Sequence, residues 1–219
     1  MTIMGGAERK RLEKTTRKKL IMDSAAEVFH QKGFSGATME NIAVRAQIAV
    51  GTIYIYFKSK ADIYFSLTKP ALESLANRLK RIANHKKHEP DLKVRQLMDA
   101  VEDFYIRNKD VYDLVTRNKA ADSFQLFPEE NRIALANLMR SNFKQMEVIV
   151  EEGIRKGLYR KINPYSVAIV FWSSFTGIIR LQENRLISGK KDYRKNTIDL
   201  FFKTILAGLK KEGENLPPD

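Results

Sequence analysis

The side chains that most often perform catalysis or bind metals are scarce in this sequence of 219 residues. It contains no cysteine, which excludes disulfides and thiolate-ligated metals. Its histidines are His30, His85 and His88, and only the last two are close enough in sequence to share a helix face. The sequence shows no nucleophile–base–acid set and no glycine-rich phosphate loop. We therefore predict no catalytic residue, no metal and no cofactor, and a protein that is not an enzyme.

A different chemistry is concentrated in residues 50–60, VGTIYIYFKSK, which combine hydroxyls, aromatic rings and cations. On a helix, Val50, Ile53 and Phe57 fall within about 60° and form an apolar stripe that must dock on other helices. The remaining side chains suit nucleic acid, because they can reach phosphates, base edges or a thymine methyl group. The alternative is that the tyrosines only pack against neighbouring helices. The predicted DNA contacts in this stretch are Gly51, Thr52, Tyr54, Ile55, Tyr56, Lys58 and Lys60.

The residues before this stretch read as a short helix, a three-residue turn and a second short helix, MENIAVRA–QIA–VGTIYIYF. Thr38 precedes the first helix and is well placed to cap it. This order is that of a helix-turn-helix, whose second helix enters the major groove of DNA. The sequence therefore predicts a DNA-binding unit.

The charge of the chain also favours an anionic partner. The formal net charge is +13, and residues 9–19, RKRLEKTTRKK, carry seven basic residues against one acid. Such a cluster attracts phosphate, either of nucleic acid or of an anionic membrane surface. A solvated helix face without a partner is the third possibility.

No membrane span or signal peptide is predicted. The longest apolar run, residues 167–179, is shorter than the ~20 residues that a spanning helix needs. We therefore expect a soluble protein of the cytoplasm.

Hydrophobic periodicity predicts an all-α fold of about nine helices. Gly33 is expected to end the first helix. A long helix is expected from Lys60 to about Asn84, and Pro70 in its interior is expected to kink it. The other predicted helices start near Pro90, span Lys109 to Ala121, run from Pro128 to about Lys156, extend from Pro164 to about Ser188, and carry Ile198 to Leu209.

Residues 16–62 closely resemble the DNA-binding domain of TetR-family transcriptional regulators. The matching positions are Ala25-Ala26, Phe29, Gly33-Phe34, Thr38, Ile42-Ala43, Ala46 and GTIYIYF followed by Lys58 and Ser59-Lys60. The later segment EEGIRKGLYRKINP is also similar to the family. The resemblance implies a homodimer with a helix-turn-helix DNA-binding domain in residues 1–60, in which Thr38 is a further DNA contact at the start of the supporting helix. It places effector binding and dimerisation in residues 61–219.

The sequence departs from the family pattern in the turn of the helix-turn-helix and at one position before the supporting helix. The turn usually reads Gly-Val-Ser, and here it is Gln47-Ile48-Ala49. Gln47 must therefore adopt the backbone angles that glycine normally supplies, and Ala49 cannot cap the recognition helix, a loss of roughly 1 kcal/mol. Ala37 stands where a second threonine is common.

The resemblance further implies a double-stranded DNA operator, a small-molecule effector and repression as the default activity. The middle helices carry aromatics with few acids among them, which favours an apolar or anionic effector over a multivalent cation. The interface is expected to be a four-helix arrangement built from residues 164–188 and 196–211 of each protomer. An architectural or division-linked DNA-binding protein of the same fold, without an effector, is the alternative function. The candidate pocket residues are Phe104, Tyr105, Tyr112, Phe124, Phe143, Trp172 and Phe175.

Overall fold

The computed structural model describes residues 5–109, 111–112, 127–187, 189 and 191–211. This part of the chain contains eight helices, which confirms the all-α class, and the predicted segment from Lys109 to Ala121 lies largely outside it. None of these helices has a stretch long and apolar enough to cross a bilayer. The helices are α1 Gly6–Gly36, α2 Met39–Ala46, α3 Val50–Tyr54, α4 Lys60–Ala83, α5 Pro90–Arg107, α6 Glu129–Arg155, α7 Pro164–Ile187 and α8 Arg194–Leu209.

Most helix boundaries lie within one or two residues of those predicted. At the start of α8, the helix begins at Arg194, two residues before Asn196, where the predicted interface segment starts. Asp192 explains the earlier start, since its carboxylate accepts the backbone N–H of Arg194 at 2.7 Å and satisfies one of the first-turn donors. Pro70 lies within α4, whose helix continues on both sides of it.

The chain divides into two compact units. Unit 1 comprises Met1–Leu72 and Asn118–Leu135, and unit 2 comprises Glu73–Arg117 and Ala136–Asp219. The boundaries fall inside α4 and α6, so each of these helices contributes residues to both units. The functional division at residue 60 stays a prediction.

The core of unit 1 positions the helix-turn-helix. It joins Ile21 and Ala25 of α1, Ile42 of α2, Ile53 of α3 and Ile63 of α4, all buried. Burying this much apolar surface fixes how the short helices α2 and α3 lie on α1, since neither is long enough to be stable alone.

Gly33 was predicted to end α1, and in the structure it interrupts the helix, which continues to Gly36. Its backbone takes φ +66° and ψ 171°, a left-handed conformation that a side chain would strain. After this break, the ring of Phe34 packs on Tyr64 with a centroid separation of 5.0 Å, and Tyr64 also meets Phe29 edge-on at 5.0 Å. The aromatic cluster joins the end of α1 to α4.

Unit 2 contains a buried ion pair and a tight glycine contact. The Lys93 ammonium lies 2.5 Å from the Glu152 carboxylate, with only 2% of the Lys93 side chain exposed. Tyr159 packs against the backbone of Gly153, so a methyl group at residue 153 would overlap its ring. The Tyr159 hydroxyl donates to Asp91 at 2.7 Å, and burial together with that carboxylate raises the pKa of Tyr159.

Candidate DNA-binding surface

Thr38 caps α2, as predicted. Its hydroxyl accepts the backbone N–H of Asn41 at 3.2 Å, and its own backbone is extended. The pKa of Glu40 lies below its ordinary value, because its carboxylate accepts its own backbone N–H and the Thr38 hydroxyl. Both features fix the first turn of the helix that supports the recognition helix.

The turn between α2 and α3 keeps a helix-turn-helix geometry without glycine. Gln47 takes φ 54° and ψ 44°, the left-handed conformation that the sequence required of it. A non-glycine residue there costs roughly 1–2 kcal/mol. The turn is closed by the Ile48 N–H, which donates to the Ala43 carbonyl at 3.1 Å. Ala49 provides no side-chain cap to α3, which confirms that expectation.

Helix α3 is shorter than the sequence predicted. It spans Val50–Tyr54, and the next residues tighten into a turn in which the Tyr56 N–H donates to the Ile53 carbonyl at 2.9 Å. Such a turn of i→i−3 type is common at helix ends. It lets Phe57 reach the core, where it is 2% exposed.

The structure buries the apolar side of α3 and exposes its outward side, as the following residues show. Ile53 is fully buried, whereas Tyr54 is 53% and Ile55 74% exposed. A Cβ added at Gly51 would meet no atom within 4 Å. Tyr56 is half-buried against the unit 1 core, so packing accounts for Tyr56 but not for Tyr54. The freely presented surface therefore consists of Gly51, Tyr54 and Ile55, with Thr52 half-buried beside them.

Lys58 lies in a polar network that follows the recognition helix. Its ammonium pairs with Glu130 at 2.8 Å, and this hydrogen bond raises the pKa of Lys58. The backbone N–H of Lys58 donates to Asp62 at 3.0 Å, and Asp62 also accepts the side-chain amide of Asn131 at 3.0 Å. These contacts fasten the segment after α3 to the first turn of α6.

The ammonium of Lys60 is directed into the protein. It donates to the backbone carbonyls of Phe34 at 2.9 Å and Ala37 at 2.8 Å, and lies 3.3 Å from that of Ser35. It also stands 4.9 Å from the centre of the Phe34 ring. Lys60 thus stabilises the end of α1. The sequence analysis predicted instead that its ammonium contacts a DNA phosphate.

The candidate pocket residues that the structure describes differ in burial. Phe104 and Phe175 are buried in the core, and Phe124 lies outside the described residues. Tyr105 and Tyr112 are also buried, with their rings edge-on at 5.1 Å. The remaining candidates, Phe143 and Trp172, are half-buried, and their rings lie 5.8 Å apart.

Two features of unit 2 escaped the sequence analysis. Glu183 is buried and accepts the Tyr105 hydroxyl at 3.0 Å, while Lys109 pairs with it at 3.1 Å. An acid therefore lies beside two of the candidate aromatics, although the sequence suggested few central acids. The second feature is an open groove of about 750 Å³, whose lining includes Met139, Arg140, Phe143 and Lys144 of α6 and Tyr165 of α7. Only the long-range packing of the helices reveals either feature.

Comparison with known proteins identifies the helix-turn-helix. The sequence model of the bacterial regulatory proteins of the tetR family matches residues 21–67. The uncharacterized HTH-type transcriptional regulator YhgD of Bacillus subtilis is 24% identical over 167 residues, 74% of this chain and 82% of that protein. The fatty acid metabolism regulator protein of the same species is 41% identical over 59 residues, 27% of this chain and 30% of that protein.

The fold is shared with solved structures over nearly the whole chain. One is the transcriptional regulator FadR of Bacillus subtilis in complex with stearoyl-CoA, which superposes with a TM-score of 0.64. It is 18% identical and covers 87% of this chain and 98% of that one. The relatives named above are transcriptional regulators, a class of proteins that is not enzymatic. With a capped α2, a left-handed turn residue and an exposed α3, residues 21–67 belong to the DNA-binding segment shared by the bacterial regulatory proteins of the tetR family.

Proposed function

We propose that the protein is a cytoplasmic repressor that binds a double-stranded DNA operator through α3 and releases it when a small effector binds. The observation that carries the proposal is the exposure of Gly51, Tyr54 and Ile55 on a helix whose other face is buried. Tyr54 and Ile55 are assigned to base edges in the major groove, and Gly51 allows close approach of the DNA backbone. Thr38, Thr52 and Tyr56 are assigned to the phosphates that flank them.

The two lysines after α3 receive different roles. Lys58 is exposed, so its ammonium can exchange Glu130 for a phosphate when DNA is present. Lys60 already has backbone carbonyl partners, so we reassign it from phosphate contact to positioning. It holds the end of α1 against the start of α4, and thereby supports the platform on which α3 lies.

The helices α7 and α8 are proposed to form the homodimer interface, within the effector-binding and dimerisation domain of residues 61–219. Their surface exposes large apolar side chains, including Val170 and Leu181 of α7 and Leu200 of α8. Gly177 lies between the first two, and a Cβ there would meet no atom within 4 Å, which leaves room for a second helix. A second copy of the chain fits such a face, because dimer interfaces bury apolar residues and allow close helix approach. Dimerisation would place two α3 helices on half-sites roughly 34–36 Å apart.

The effector is proposed to be apolar or anionic, with a fatty acyl thioester as the first candidate. Trp172 supports this class, because its indole nitrogen is buried without a hydrogen-bond partner among the described residues. An N–H of this kind can donate to a carbonyl or carboxylate oxygen. The relative named for fatty acid metabolism and the stearoyl-CoA complex suggest where to begin the screen.

The proposal is tested by selecting genomic fragments on the immobilised protein and titrating the bound complex with stearoyl-CoA. Release of the fragment at micromolar stearoyl-CoA, weakened in Trp172→Phe, is the expected result. Free coenzyme A is the matched control and should leave the complex intact. A fragment that stays bound at every concentration of acyl thioesters, free fatty acids and aromatic acids would favour the architectural or division-linked function instead.

A further inference from the structure

An open cleft of about 420 Å³ lies in unit 2, where α4 ends and α5 begins. Its volume is in the range of small-molecule sites. Helix α4 contributes Arg78, Arg81 and Ile82, whose spacings of three and four residues place them on one face of the helix. The other lining residues are His85 and His88 of the connection and Gln96 and Asp99 of α5. Most of the lining side chains therefore carry positive charge or acquire it on protonation.

The two histidines of the connection are stacked. Their ring centroids lie 3.6 Å apart, with an angle of 27° between the ring planes. Nδ1 of His88 lies 3.0 Å from Oε1 of Gln96, and because an amide oxygen only accepts, Nδ1 donates this hydrogen bond. Nε2 of His88 carries a lone pair while the ring is neutral and becomes a donor once the ring is protonated. Two stacked rings repel each other when both are protonated, so a bound anion would stabilise the doubly protonated pair.

The charged groups that face the histidines leave one guanidinium free. Arg78 of α4 pairs with Asp103 at 2.9 Å, and Asp99 of α5 pairs with Arg95 at 3.1 Å. Arg81 is exposed, and its guanidinium has no hydrogen-bond or ion-pair partner in the part of the chain that the structure describes. Since both acids already have arginine partners, the cleft has the sign of charge that attracts an anion.

We propose that this cleft binds the phosphoryl group of a small soluble molecule. Arg81 supplies a free guanidinium for its oxygens, and protonated His85 and His88 supply further charge-assisted hydrogen bonds. A phosphoryl group suits this donor set better than a carboxylate does, because it offers three acceptor oxygens and a charge of about −2. The site is independent of the proposed operator binding.

A metal cation fits the same residues less well. Because the rings of His85 and His88 are stacked with only 27° between their planes, their in-plane lone pairs run side by side instead of converging on one point. The guanidinium groups of Arg78 and Arg81 would also repel a cation. Among the residues that the structure describes, no group of three or more histidine, cysteine, aspartate or glutamate side chains is placed to hold a metal ion. The arrangement thus favours an anion.

The test is proton NMR of the histidine rings in the full-length protein, titrated with sodium sulfate at constant ionic strength. Sulfate keeps its two negative charges at pH 6 and at pH 8, so any pH dependence belongs to the protein. The signals of His85 and His88 should shift saturably, with a millimolar Kd that is roughly tenfold lower at pH 6, because histidine gains its charge between these pH values. His30 of α1 is the only other histidine and serves as the internal control, which should not shift. Inorganic phosphate should reproduce the shifts.

Two single substitutions separate the cleft from general charge. Arg81→Gln should raise the Kd for sulfate about tenfold or more without changing Tm, because its guanidinium has no partner in the protein to lose. Lys80→Gln is the matched control, since it removes an equal charge from the neighbouring exposed residue, which does not line the cleft. It should leave the Kd within about twofold of the original value.

Four results would overturn the proposal. The first is the absence of a saturable shift of His85 and His88 at either pH. The second is equal weakening in Lys80→Gln and Arg81→Gln, which would indicate an adventitious ion only. The third is a response of both rings to micromolar zinc chloride but not to sulfate, which would indicate a metal site. The fourth is Arg81-dependent sedimentation with phosphatidic acid vesicles while free sulfate and phosphate have no effect, which would assign the site to a lipid headgroup. The selection of genomic fragments tests operator binding separately, so failure of one proposal leaves the other standing.

Discussion

Lys60 offers a sharp test, because a positioning residue and a phosphate contact respond differently to the same substitution. Lys60→Met keeps the length of the aliphatic chain but removes the ammonium that bonds the carbonyls of Phe34 and Ala37. Those carbonyls lie at the end of α1, where a helix leaves its last acceptors without partners. The substitution should therefore loosen the end of α1 from the start of α4.

The expected loss follows from these two short bonds. A hydrogen bond from a charged donor contributes roughly 1.5–3 kcal/mol. Because Lys60 is only half-buried and water can replace it at the carbonyls, we expect about 2 kcal/mol in total. For a chain of this size each kcal/mol lowers Tm by roughly 2–4 °C, so Tm should fall by about 4–8 °C.

The assay combines thermal unfolding with a salt series of DNA binding. Lys60→Met should lower Tm and operator affinity while leaving the salt slope unchanged, since no phosphate partner is lost. Lys60→Arg should restore little stability, because the planar guanidinium fits three converging carbonyls poorly. Lys58→Met is the matched control, with an unchanged Tm. A normal Tm together with a slope lower by about 0.9 per protomer, rescued by Lys60→Arg, would refute the positioning role.

Four further predictions concern stability, pH and assembly. Gly51→Ala should leave the free energy of unfolding equal or higher by up to ~1 kcal/mol, because the added methyl group meets open space, yet weaken operator binding at least tenfold. Gly153→Ala should destabilise unit 2 by roughly 1–3 kcal/mol or more in urea unfolding, because its Cβ overlaps the Tyr159 ring. Burial would raise the pKa of Glu152, but hydrogen bonds from Lys93 and Lys156 outweigh it, so its folded pKa lies below the ordinary value. Glu152 therefore stabilises the fold fully when the pH is above its pKa in the unfolded chain, and this stabilisation is lost as the pH falls through its pKa in the folded protein. Glu152→Gln should lower the free energy of unfolding by roughly 3 kcal/mol at pH 7 and by less at pH 4. Leu181→Glu should convert the proposed dimer to a folded monomer in light scattering, because this exposed residue lies on the proposed interface.

Each of these predictions has a contradicting result. Unchanged affinity in Gly51→Ala would mean that DNA does not approach the backbone there. A normal midpoint in Gly153→Ala would show that Tyr159 moves aside without cost. A Glu152→Gln deficit that grows toward pH 4 would reverse the sign of the linkage. An intact dimer in Leu181→Glu, with Leu200→Glu giving the same result, would place the interface elsewhere.

Local chemistry predicted much of the fold from the sequence. Gly33 interrupts a regular helix because glycine tolerates the left-handed region, and Thr38 caps because its hydroxyl replaces a missing backbone partner. The strained conformation of Gln47 was also foreseeable, since the turn demands it whichever residue is present. Periodicity could not predict that α3 ends at Tyr54, because this end depends on how Phe57 packs into the core of unit 1.

The site was predicted less completely, because several of its contacts join residues far apart in sequence. Lys58 meets Glu130 from another helix, and the role of Lys60 depends on carbonyls at the end of α1. A lysine beside a recognition helix indicates positive charge there but not the direction of its ammonium. In unit 2, Glu183 reaches Tyr105 across 78 positions of sequence, which no local pattern records.

The central claim is that α3 reads DNA sequence through its exposed face. The most direct measurement compares binding of the unaltered protein and Tyr54→Ala to DNA from upstream of its own gene and to scrambled DNA at 150 mM salt. We predict a preference of roughly 10³-fold or more for the upstream DNA, as specific regulators show, and its collapse in Tyr54→Ala with scrambled binding unchanged. If upstream DNA is preferred and Tyr54→Ala retains the full preference, the exposed face of α3 is not the surface that reads the sequence.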